Sequence, residues 1–499
     1  MKIARLFFLC LVSMQLQSRP LPQSDSLTLK SQRAKQSMEE GNFVRAISLY
    51  RELNQAVPNN PGLKLNLGMA LHMAGKKREA IPELEDAVKL DPGLAPAWLF
   101  LGATRLQLGE TTAAIKALKM ALSLQPDHRE ARRMLADALL SLDRVEQAAA
   151  EYRKLTGSDP ENAPAWYGLG RSYESLSGSA FDELQRSGPE SPYLMALLAE
   201  TRLREQQFSS AFFLYRRALE QMPTLHGLHS AVAEVYRQTG HPDWADAEEK
   251  KESQLPSPDC RNRTLECQFR AGHFDELTAS AKEAKTADSF YWRSRAYNEL
   301  ALNAFTRLGQ LPPSAELHEL KAGIYNSQKR YSEAASEWRE ALKLSPTDAQ
   351  IQKELAISLK LSQNYGAALP LLQELLRQQP TSAELNYLVG DTLLDQQRAE
   401  EAIPLLKRAV SHDPKSVAAH KSLARAQLAA GKAIEAISHL KVALTADGDG
   451  TVHYQLAQAY QASGQSELAK KTLAGYQRIQ RSVAAEREAA KRDTQITPP

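Results

Sequence analysis

Apolar residues recur along most of the chain at spacings of three and four, the period of a helix with one buried face, and the whole pattern returns every 34 residues. Residues 95–128 show one cycle. Trp98, Leu101, Gly102 and Leu106 mark one face of a helix, and Gly109 interrupts it. Ala114, Leu118 and Ala121 mark one face of a second helix, and Pro126 ends the cycle because proline cannot continue a helix. The same proline stands at Pro58, Pro92 and Pro160, returns at Pro346, Pro380 and Pro414, and Gly448 takes the following slot. Such a period predicts short helical hairpins stacked in file, each supplying part of its neighbour's core. Gly102, Ala114 and Ala121 are small where two helices must approach closely, so small size is the physical requirement there.

The marks repeat in phase. They are Leu67, Gly68, Ala80, Leu84 and Ala87; Leu135, Ala136, Ala148 and Tyr152; Leu355, Ala356, Ala368 and Leu372; Val389, Gly390, Ala402, Leu406 and Ala409; Leu423, Ala424, Gly431, Ala436, Leu440 and Ala443. This pattern resembles the tetratricopeptide repeat (TPR), W-x2-L-G-x2-Y followed by A-x3-F and then A and P. The resemblance implies an all-α fold, a right-handed α-solenoid of stacked antiparallel helix pairs (a TPR superhelix). First helices would line an inner wall, and the concave surface would hold a peptide or a partner protein.

The beat breaks in the middle. SYESLSGSAFDEL at 172–184 and AYNELALNAFTRL at 296–308 match each other at Tyr173 and Tyr297, Leu176 and Leu300, Ala180 and Ala304, Phe181 and Phe305, and Leu184 and Leu308. Each lacks the glycine turn, which predicts either a tight turn or one nearly continuous helix. The expected count is about fourteen helix pairs, divided as an N-terminal array (27–223), irregular short units (224–314) and a C-terminal array (315–483). The end of a capping helix and a polar tail (484–499) follow.

Residues 1–18 read as a signal peptide, with a short basic start and a nine-residue apolar run at 6–14. That run is too short to span a bilayer, which takes about 20 apolar residues. A loose leader (19–26) follows. The expectation is export to the periplasm or the medium, with no transmembrane helix in the mature chain. Lipidation at Cys10, an uncleaved first helix and a cytoplasmic adaptor are the alternatives. Beyond Cys10 only Cys260 and Cys267 occur, a close pair that an exported chain would join as a disulfide; two free thiols is the other reading.

Charge and motifs narrow the chemistry. A net charge of +3 with no basic stripe does not point to nucleic acid. His226 and His229 are spaced as H-x2-H but lack further ligands at helical spacing, so no metal and no cofactor is expected. Gly68 to Lys76 fits the repeat's packing and turn positions better than a phosphate loop, and no catalytic fingerprint appears. Inner-wall positions, the second, fifth, ninth and twelfth of each repeat, carry the binding candidates Lys353, Lys360, Tyr387, Asp391, Lys421, Arg425 and Tyr454. Cations would pair ligand carboxylates and tyrosines would supply flat area with a polar tip. The equivalent N-terminal positions, among them Leu65, Met69, His72 and Leu99, are more apolar. Arg425 stands where a TPR carboxylate clamp has asparagine, and only Asn66 obeys an asparagine ladder, so neither specialisation is expected. The sequence thus predicts a non-enzymatic scaffold that binds a protein or peptide, with an accessory factor of an envelope assembly or secretion machine as the narrower alternative. An enzyme of unrecognised class is the remaining one.

Overall fold

The structure, a computed structural model, describes residues 24–493 and 495–499, with side chains from 27 to 485 and from 495 to 499. The expected signal peptide lies outside the described residues. So does most of the expected leader, whose last three residues already belong to the first helix, Ser24–Glu39. The described residues hold 26 α-helices and no strand. Twelve helix pairs and two single long helices make up that number.

One hairpin explains the rest. Helices Ala95–Gln107 and Thr111–Leu124 are joined through Gly109, whose φ of +79° is left-handed and stops the first helix. A Cβ on Gly102 would stand 2.7 Å from Leu118 Cγ, so the small residue lets the two axes close. Gly68 against Leu84 and Gly390 against Leu406 repeat the contact. Ala114, Leu118 and Ala121 are buried, as are their equivalents Ala80, Leu84 and Ala87, and Ala402, Leu406 and Ala409. Two residues after the repeat proline, Asn60, Asp348, Ser382 and Ser416 each cap the next helix by accepting a backbone N–H. Proline thus stops one hairpin and the cap starts the next.

The left-handed turn is more regular than the glycines suggest. It occurs in every pair, and five times the residue is not glycine: Asp143, Gln206, Lys329, Gln363 and Gln397, with φ between +56° and +64°. Position in the repeat, and not residue type, dictates the backbone there.

The chain forms two compact units, one up to Gly168 and one from Leu169. The first is built on a core running from Ala34 through Leu84 to Ala117. In the second, one core spans Leu184 to Ala296, and three smaller ones follow the regular repeats, around Trp338, Leu406 and Leu440.

The two segments without a glycine turn are continuous helices, Ala163–Ser187 and Ala287–Gly309. Within the second unit they lie antiparallel against each other. Tyr173 stacks on Tyr297 at 6.1 Å between centroids, and Ser177 Oγ donates to the Ser294 carbonyl at 2.9 Å. A Cβ on Gly170 would overlap the Phe305 ring. Sequence-equivalent tyrosines therefore meet, so the duplicated segments are two halves of one pseudo-symmetric contact.

Between them lie short helices, including Thr264–Arg270 and Phe274–Ser280. There Cys260 and Cys267 stand with Cα atoms 5.7 Å apart and sulfurs at bonding distance. The final helix, Ser466–Asp493, is longer than any repeat helix. The 495–499 stretch, read from the sequence as part of a polar tail, packs back on the unit: Ile496 is half-buried against the core that contains Tyr236.

Candidate binding face on the first helices of the C-terminal repeats

The first helices of this array are Ala315–Ser327, Ala349–Leu361, Ala383–Asp395, Val417–Ala429 and Thr451–Ala462. They are cross-linked by polar pairs 31 or 32 residues apart. Ser358 Oγ donates to Asn326 at 3.2 Å, Lys353 Nζ pairs with Glu384 at 3.0 Å, and Ser422 Oγ donates to Asp391 at 2.6 Å. An offset of one repeat minus about one helical turn is what neighbouring, slightly staggered helices produce.

Four of the seven sequence candidates meet at one point. Lys360 Nζ lies 2.7 Å from Asp391 and 3.0 Å from Asp395. Arg425 approaches the same two carboxylates at 3.7 and 3.5 Å, and Tyr387 stands beside them. Burial disfavours the Lys360 ammonium, but hydrogen bonds and charge from Asp391 and Asp395 more than offset this and hold its pKa above the ordinary lysine value. Burial first, then the Asp391 charge, raises the Tyr387 hydroxyl. Two cations and two carboxylates leave the cluster neutral.

Exposure separates the candidates. The side chains of Lys360 and Asp391 are 16% and 8% exposed, so they act mainly on each other. Lys353 is engaged by Glu384. Arg425 meets the two carboxylates only at 3.5 and 3.7 Å, and its side chain stays 40% exposed. One turn away Lys421 is half-buried, and its charge reaches Asp449. Tyr454 is 44% exposed, with its ring 5.5 Å from Tyr476. Arg425, Lys421 and Tyr454 therefore form the accessible part of the face.

In the first unit the same ladder joins His72 Nδ1 to Thr104 Oγ1 at 2.8 Å. Arg133 and Asp137, one turn apart on a first helix of this unit, pair at 2.7 Å, and the Tyr152 hydroxyl donates to Asp137 at 2.5 Å.

A family model described as Tetratricopeptide repeat matches residues 37–103, 105–172, 359–426 and 393–449. The chain is a multi-repeat TPR protein. Part of it is 29% identical over 171 residues to the Cellulose synthase 2 operon protein C of Komagataeibacter xylinus, covering 32% of this chain and 13% of that one. Another part is 31% identical over 116 residues to the TPR repeat-containing thioredoxin TTL4 of Arabidopsis thaliana, covering 23% and 16%. The alignments thus span less than a fifth of these relatives' lengths. A solved tetratricopeptide repeat protein from Parabacteroides merdae aligns with 67% of this chain and 99% of its own at 15% identity and a TM-score of 0.33.

Several site residues escape the TPR position rules. Asp395 lies one helical turn beyond Asp391, outside the inner-wall positions considered. Its signal is the four-residue spacing from Asp391, which puts both carboxylates on one face within reach of Lys360. Two buried carboxylates lie in the irregular units. Glu248 meets His229 Nδ1 at 2.5 Å, at the same 19-residue offset within a hairpin that joins Lys64 to Glu83, Arg132 to Glu151 and His318 to Glu337. Glu266 meets His226 Nδ1 at 2.8 Å across 40 residues, which no repeat offset signals. The H-x2-H histidines are thus tied to two separate buried glutamates. Among the described residues no group of three or more His, Cys, Asp or Glu side chains is placed to hold a metal ion.

Proposed function

We propose that this TPR protein is a non-enzymatic scaffold whose C-terminal first-helix face binds an extended, acidic peptide segment of a partner protein. One observation carries the reading. Arg425 and Lys421 on one first helix and Tyr454 on the next are accessible together, and Arg425 is held in place by Asp391 and Asp395. The internal pairing of Lys360 with Asp391 and Asp395 pre-organises the face, so little freedom is lost on binding. The outward cations would take carboxylates through charge-assisted hydrogen bonds, and Tyr454 would cover an apolar side chain between them.

Panning a 12-residue peptide display library against the protein tests this. Acidic sequences should be enriched, and a Lys421→Glu/Arg425→Glu variant should bind them at least about tenfold more weakly with unchanged helix content. Enrichment without acidic bias, or equal affinity for the variant, overturns the reading.

The location proposed is outside the cytoplasm. The apolar run at 6–14 and the bonded placement of Cys260 and Cys267 support it. Intact-mass measurement of the fractionated protein tests it, since removal of the first residues and two unreactive thiols are the expected result. Retention of Met1 with reduced cysteines contradicts it. The likeness to a protein named for a cellulose synthase operon supports the narrower role, an accessory factor of an envelope assembly machine.

A further inference from the structure

The 495–499 segment returns to an irregular unit of the repeat array. The Ser466–Asp493 helix runs 28 residues, about 42 Å at the usual helical rise. Its 481–485 stretch is largely exposed. Beyond it, the 495–499 segment makes contact again, with a residue 261 positions earlier: the Tyr236 hydroxyl donates to the Thr497 carbonyl at 2.7 Å. Ile496 packs, half-buried, against the core around Tyr236, while Thr497, Pro498 and Pro499 remain exposed.

Three features make this more than a loose end lying on a surface. The acceptor is a backbone carbonyl, so the interaction reads an extended main chain and not one particular side chain. Pro498 keeps Thr497 out of the helical region and so presents that carbonyl outward. The receiving side is a built aromatic wall on helices Phe208–Gln221, Leu228–Gln238 and Pro242–Ser253. The Tyr236 ring is fully buried, 5.5 Å from both Phe212 and Trp244, and His241 stacks on Trp244 at 4.0 Å. A hydroxyl donor fixed at the edge of an aromatic wall, next to a seat for one aliphatic side chain, is the chemistry that recognises an extended aliphatic–x–proline segment.

We propose that the Tyr236 wall is a binding site for such segments and that residues 495–499 occupy it in cis, so that an external segment of the same chemistry enters only by displacing them. Tethering sets the balance. At an effective concentration on the order of 1 mM, a segment with a dissociation constant near 100 µM stays docked about ten to one. The closed form would then dominate without being locked. The inference goes beyond the Lys421–Arg425–Tyr454 face and does not depend on it, since the Lys421→Glu/Arg425→Glu variant leaves this site intact.

The test uses the full chain and a fluorescein-labelled peptide of residues 492–499, RDTQITPP, read by fluorescence anisotropy. In an Ile496→Asp chain the tethered segment no longer seats, and the peptide should bind. The unaltered chain should bind it about tenfold more weakly, by the tethering ratio above. Adding Tyr236→Phe to the Ile496→Asp chain removes the donor and keeps the ring, and should weaken binding about fivefold, the worth of one hydrogen bond. The same peptide with its isoleucine replaced by aspartate should not bind. Circular dichroism confirms that the variants stay folded, as expected for changes at a half-exposed residue and a conserved ring shape. Absence of binding to the Ile496→Asp chain, equal binding to both chains, or equal binding of the aspartate peptide overturns the proposal. Binding that instead makes the unaltered chain dimerise in sedimentation would mean that the segment acts between copies, and overturns occupancy in cis.

Discussion

Gly102→Ala is the sharpest test of the repeat packing, because two opposing terms can be sized. The added Cβ would stand 2.7 Å from Leu118 Cγ and 2.8 Å from its Cδ2, about 1 Å inside ordinary carbon contact. Leu118 is fully buried and cannot swing into solvent. Overpacking of this kind costs about 2 kcal/mol. The better helix propensity of alanine returns about 1 kcal/mol, so the net loss should be about 1 kcal/mol. Leu118→Ala alone should cost about 3 kcal/mol as a cavity, and it removes both clashing atoms. In that background Gly102→Ala should change sign and stabilise by about 1 kcal/mol, a coupling of about 2 kcal/mol. Gly323→Ala supplies the control: it lies inside a helix with no neighbour within 4 Å of the new Cβ, so it should stabilise by about 1 kcal/mol. Stacked repeats can open in parts, so hydrogen exchange over 95–124 is the proper readout, with urea unfolding as a check. If Gly102→Ala stabilises the unaltered chain, or if its effect is the same with and without Leu118, the close-approach argument fails.

Two further expectations follow from the turns and the buried charges. Gln363→Gly and Gln397→Gly each relieve a side chain at left-handed φ, of +62° and +64°, and should raise local stability by about 1 kcal/mol in the same exchange assay; lowered protection would contradict the reading of these turns. Glu248 is fully buried between His229 and Lys251. Burial raises its pKa, but hydrogen bonds and charge from those two residues more than offset this and hold it below the ordinary 4.5. Its contribution is therefore complete above that value and lost as pH falls through the depressed one. Glu248→Ala should destabilise the middle repeats by about 3 kcal/mol at pH 7 and by much less at pH 3, whereas a pH-independent loss measured by thermal unfolding would refute the charge assignment.

Where the chain keeps its period, the fold was legible because every hairpin repeats the same constraints. Small residues close the helices, a left-handed residue reverses them, proline stops them and a polar cap restarts them. The turn at Gln206 was not legible, since glutamine has no preference for that backbone and only the repeat imposes it. The Tyr173–Tyr297 contact was half visible: the duplication could be read, but nothing in a sequence says that two copies of a segment pack on each other. The candidate face shows the same division. Repeat positions located Lys360, Asp391 and Arg425, but which cations face outward depends on the offset between neighbouring helices, and that offset turns Lys360 inward onto Asp391. Tyr236 and Ile496 gave no signal because their contact joins an irregular unit to a segment beyond the repeats.

Site-specific photo-crosslinking tests the central claim most directly. A benzophenone amino acid would be placed at Tyr454 on the proposed face, and at Lys441 on the exposed side of a second helix, and irradiated in cells. The account predicts a discrete partner adduct from position 454, lost in the Lys421→Glu/Arg425→Glu background, and none from position 441. Adducts of equal strength from both positions, or an adduct at 454 that survives the charge reversal, would contradict it.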